Sequence, residues 1–84
     1  MIYHTDITHQ DLKLQIQNQA ILYGGNTKLK IYGLLTCASG KRMKREHRVF
    51  FATESEALDL GYRPCGHCMH HAYKNWKHVE HAIR

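Results

Sequence analysis

Eighty-four residues, 43% apolar and 23% charged, describe a folded domain rather than a disordered chain, and exclude a large catalytic barrel, which needs about 200 residues or more. A chain this short buries only about 60–65% of its unfolded surface, so a metal, a disulfide or a partner is expected to supplement its core. Twelve Lys and Arg against seven Asp and Glu give a net charge of +5 and favour an anionic partner, while no stretch suits a membrane span or a secretory leader, so a cytoplasmic protein with reduced thiols is expected.

The first predicted element is a helix over about residues 6–20. Ile7, Leu12, Leu14, Ile16 and Ile21 follow the helical period loosely, and Thr5 or Asp6 can cap it. Residues 21–23 read as a strand and Gly24-Gly25-Asn26 as a turn. Residues 28–32 alternate polar and apolar, as the return strand of a hairpin does. Gly33 and Gly40 bracket Cys37, and residues 41–48 read as a basic loop. The apolar run at 49–52 is a third strand. Thr53 and Glu56 then have capping-box spacing, opening a short helix over 54–60, with Gly61 at the C′ position. Pro64 makes Arg63 extended. The last helix is expected from residue 66 or 67 to 82. Met69, Ala72, Tyr73, Trp76, Val79 and Ile83 share one of its faces, and Tyr73 and Trp76 are read as core.

Cys65-Gly66-His67-Cys68 is a CxxC at the start of that helix. A redox CxxC follows a strand in a βαβ unit, and no such unit is present in the pattern. A zinc site instead needs two thiolates from the CxxC and further ligands from elsewhere. Cys37, flanked by glycines, is the third cysteine and the third expected ligand. Three histidines compete for the fourth place. At 100° per residue, His71 lies about 60° from Cys68 on the helix and shares its face. His47, beside the third strand, ranks second, and His67, inside the CxxC, third. The expected fold is a small α+β zinc-binding domain, a three-stranded antiparallel sheet with a long C-terminal helix and one or two short helices. Residues 1–84 form one domain, with residues 1–20 as a helical N-terminal extension.

Residues 31–68 resemble a known family. The matching residues are Arg45-Glu46-His47, Val49-Phe50-Phe51-Ala52, Ser55-Glu56-Ala57-Leu58 and Gly61-Tyr62-Arg63-Pro64-Cys65-Gly66-His67-Cys68. Together they resemble the Ada metal-binding domain, the N-terminal zinc module of a bacterial regulator of DNA-alkylation repair. The resemblance implies one zinc held by a CxxxC pair and the later CxxC, the latter matching Cys65 and Cys68. Cys37 matches the second cysteine of the first pair if the first falls at Gly33, or the first if the second falls at Lys41. One thiolate is missing under either alignment. In the family, a zinc-bound cysteine of the first pair accepts a methyl group from a DNA phosphotriester. Under the Gly33 alignment that thiolate is absent, so the resemblance implies fold, zinc and DNA contact rather than methyl transfer.

Lys41, Arg42, Lys44, Arg45 and Arg48 place five cations in eight residues. Such a loop beside a zinc site suits contact with phosphates. With no base-reading helix rich in Arg, Asn and Gln, weak sequence preference is expected. The reading is therefore a zinc module contacting DNA through this loop. The alternatives are a zinc-thiolate methyl acceptor centred on Cys37 and a zinc-stabilised protein-interaction adaptor.

Overall fold

The computed structural model describes residues 1–37 and 43–83. The chain runs through β1 (Ile2–Tyr3), a 3-10 turn (His4–Asp6), α1 (His9–Gln17), β2 (Tyr23–Asn26) and β3 (Ile31–Leu34). A second 3-10 turn (Arg45–His47), β4 (Arg48–Phe51), α2 (Glu54–Asp59), β5 (Arg63–Pro64) and α3 (His70–Ile83) follow.

The α+β class holds, but the sheet has five strands rather than three, in the order β1-β4-β2-β3-β5. It is mixed, because β5 runs parallel to β3. The two unexpected strands are the edges, each of two residues. Such pieces are too short to leave an alternating pattern.

The first helix is shorter than expected. Thr8 caps it, its Oγ accepting from the Asp11 N–H at 3.1 Å. The C-terminus closes with Gln19 at φ 59, the Ala20 N–H on the Gln15 carbonyl (2.8 Å) and the Gln19 N–H on that of Ile16 (3.1 Å). The hairpin is present with its turn displaced. Gly24, Gly25 and Asn26 belong to β2, and the reversal occupies residues 27–30. There the Asn26 side chain accepts from the Lys28 and Leu29 N–H groups at 2.9 and 3.1 Å, an Asx turn. The last helix begins at His70, later than residue 66 or 67, because the CxxC forms its own turn first.

Directly opposed residues share a face of a sheet. Tyr32, Val49 and Phe51 pack with Ala57 of α2 and Tyr62 on one face. Phe50 packs with Ile7, Leu12 and Ile21 on the other. The domain thus has a small core on each face. Arg45 ties the N-terminal segment to β4, its guanidinium donating to the carbonyls of His4 and Ile7, both at 3.3 Å. Among the described residues, no helix is long and apolar enough to cross a membrane.

Candidate metal centre

Three local arrangements bring the cysteines together. Cys37 follows β3 in a turn closed by its own N–H on the Leu34 carbonyl (3.1 Å), and is buried. Cys65 continues the β3–β5 pairing, its N–H donating to the Tyr32 carbonyl at 2.7 Å. The CxxC turn is closed by the Met69 N–H on the Cys65 carbonyl (3.0 Å), which swings Cys68 back towards β3. There the Leu34 N–H donates to Cys68 Sγ at 3.4 Å.

The three sulfurs lie within 4.8 Å of one another. Tetrahedral zinc with Zn–S bonds of about 2.3 Å needs sulfurs roughly 3.8 Å apart, so small side-chain movements fit this group to the ion. Burial pushes the Cys68 thiol up to about 11. The Leu34 amide opposes that rise, and hydrogen bonds with Cys37 and Cys65 add to it. A divalent cation reverses this balance by stabilising the thiolates.

The expected histidines stand apart from the group. His71 and His67 are exposed. His47 sits in the second 3-10 turn, 3.8 Å from the Glu46 carboxylate, and its carbonyl accepts from the Thr27 N–H at 2.9 Å. None of the three has a ring nitrogen within the sulfur group.

Glycine occupies the position where one alignment sets the family's missing cysteine. A Cβ on Gly33 would lie 2.7 Å from Cys68 Sγ and 3.1 Å from Cys65 Cβ. Position 33 therefore borders the thiol group directly. A cavity of about 370 Å³ opens beside it, lined in part by Gly24, Cys37, Cys65, Arg48 and Arg63. The sequence reading missed this cavity. Its local signal was the Arg63-Pro64 pair just ahead of the CxxC, which carries a cation to the site.

The basic segment divides between roles. Lys41 and Arg42 lie outside the described residues. Lys44 and Arg45 are exposed, Arg45 while holding the N-terminal segment. Arg48 is half-buried, its guanidinium 5.2 Å from the centre of the Phe50 ring, and burial lowers its pKa.

A family model described as the metal binding domain of Ada matches residues 14–70. Comparison with curated proteins and with solved structures finds no match.

Proposed function

The chain belongs to the Ada metal-binding domain family and its cofactor is zinc, and on that premise we propose that it is a zinc-organised module contacting the DNA backbone with little sequence preference. The single observation that carries this reading is the convergence of Cys37, Cys65 and Cys68 within a matched family segment. These three are the proposed protein ligands. His71, the expected fourth, would have to turn in from solvent to join them. Zinc held there keeps the thiols ionised and ties β3, β5 and the start of α3 together. Residues 1–84 are proposed as one domain. The pairing of β1 with β4 supports treating the N-terminal segment as part of it.

A net charge of +5 and the segment from Lys41 to Arg48 support DNA contact. Because Arg48 lines the cavity and Arg45 holds the N-terminal segment, Lys41, Arg42 and Lys44 are the proposed phosphate contacts. Two or three contacts give a slope of log K against log salt of about −2 to −3. Reversing all three charges should flatten that slope with zinc content unchanged. Equal binding by the mutant and the parent would favour the adaptor reading. Under the Gly33 alignment the family's methyl-accepting cysteine is absent, so the proposed role is contact with DNA rather than methyl transfer.

A further inference from the structure

We propose that the fourth coordination position of the zinc opens into the cavity beside Gly33 and takes a small anionic thiol, an inference that rests on the zinc reading above. Zinc sites with four protein donors are closed and structural, whereas sites with three keep a position for an outside ligand. Among the described residues, the donor group is three thiols; His67 lines the same cavity, but its ring nitrogens lie outside that group. Residues 38–42, Ala-Ser-Gly-Lys-Arg, contain no thiol, imidazole or carboxylate. A Cβ at position 33 would stand 2.7 Å from Cys68 Sγ and 3.1 Å from Cys65 Cβ, so the thiol group itself fills that space and glycine there supplies no fourth sulfur.

The thiol group borders a built cavity, which Cys37 and Cys65 line. Gly24 stands directly opposite Gly33 on the same face of the sheet, and a side chain is missing from both. Both glycines line the cavity, whose volume of about 370 Å³ is within the range of small-molecule sites. Leu29, Ile31 and Met43 make part of its wall apolar, which suits an organic ligand better than a hydrated inorganic anion. Arg48 and Arg63 line the same space. Arg63 is held by its own bond to the Pro64 carbonyl (3.1 Å) and lies over the Tyr73 ring at 5.1 Å. Fixed guanidinium groups pair with carboxylates. They also offset charge: three thiolates on zinc carry a net charge of about −1, and a fourth makes it about −2. An acidic low-molecular-weight thiol meets all of these demands. On binding, its S–H bond breaks, the sulfur joins the metal and the proton leaves to solvent, with no change of oxidation state.

The test uses the whole chain with cobalt(II) in place of zinc, titrated with thioglycolate, cysteamine and glycolate. Metal content is measured in parallel. The expected result is one cobalt per chain and a saturable gain in sulfur-to-cobalt absorption with thioglycolate, roughly a third as a fourth sulfur joins three. Cysteamine, a cationic thiol, should bind about tenfold more weakly, and glycolate should give no such gain. Gly33→Cys should show the four-sulfur spectrum unaided and ignore added thiol. If that variant fails to fold, Arg48→Gln should bring the thioglycolate affinity down to that of cysteamine. A parent that binds one cobalt but keeps its spectrum, or loses its metal to the thiol, overturns this inference and leaves the zinc reading standing. A parent that binds no metal overturns both.

Discussion

Three glycines that look alike in the sequence differ in physical cause. A Cβ on Gly25 would lie 2.8 Å from Phe51 Cε2, 3.1 Å from the Ile31 carbonyl and 3.2 Å from Val49 Cγ2. One of these neighbours is backbone and cannot turn away, so Gly25→Ala should cost about 1–3 kcal/mol by overpacking. Gly61 has open space around its Cα but φ +86. Gly61→Ala should cost about 1–2 kcal/mol from left-handed backbone strain alone. A Cβ on Gly24 would meet only ordinary contacts, at 3.7 Å and beyond, and Gly24→Ala should stay within about 0.5 kcal/mol of the parent. Urea denaturation of the three variants checks the ranking. Equal losses at positions 24 and 25 would contradict it.

The short helix α2 shows how far local signals reach. Thr53 Oγ accepts from the Glu56 N–H at 3.2 Å, and Glu56 Oε1 accepts from the Ala52 N–H at 2.9 Å, one residue before the N-cap. Its other oxygen, Oε2, pairs with the Met1 amine at 2.6 Å. At the far end the Tyr62 N–H closes on the Ala57 carbonyl (3.0 Å), and both residues lie in the core. Thr53→Ala should therefore cost about 1 kcal/mol. The Met1 amine, then the Ala52 amide, hold the Glu56 carboxyl below its ordinary value. Its contribution is present above the unfolded value of about 4.3 and is lost as pH falls through the lower folded one. Glu56→Gln should destabilise the domain at pH 7, and the difference from the parent should vanish in strong acid. A constant gap in denaturation midpoint across that range would count against the assignment. Both ends of α2 were legible because caps are written in consecutive residues. Gly24-Gly25-Asn26 reads as a turn in the sequence, whereas glycine at position 25 answers the crowding of Phe51 and Val49 from another strand. The cysteines were legible by spacing. The cavity beside them was not, since its lining comes from β2, β3, β4 and the CxxC turn, which only the fold brings together.

At the scale of the molecule, zinc on the three proposed cysteine ligands would join parts that otherwise have few links. The helix α3 meets the rest through β5 and the CxxC turn, while the two cores sit on the sheet faces. Removing the metal should therefore release the C-terminal part first. Trp76, the sole tryptophan, stacks on Tyr73 of the same helix at 6.1 Å, and the Tyr73 ring lies under the Arg63 guanidinium of β5 at 5.1 Å, so its fluorescence follows the loss of that contact. A chelator should shift its fluorescence and lower the melting temperature, and Cys65→Ser and Cys68→Ser should do the same. A thermal transition and near-ultraviolet spectrum unmoved by metal removal would take zinc out of the structural account.

The strand order also sets a timetable. β4 lies between β1 and β2, with Ile2 opposite Phe50, so β1 has no neighbour until the ribosome has passed Phe51. The β2–β3 hairpin is local and can form earlier, since short loops close at lower entropic cost. Cys65 and Cys68 emerge last of the three cysteines. A nascent chain can thus assemble its hairpin and the face built from Ile7, Leu12, Ile21 and Phe50 while Cys37 waits, and metal capture by the three cysteines would come only after Cys68 has been made.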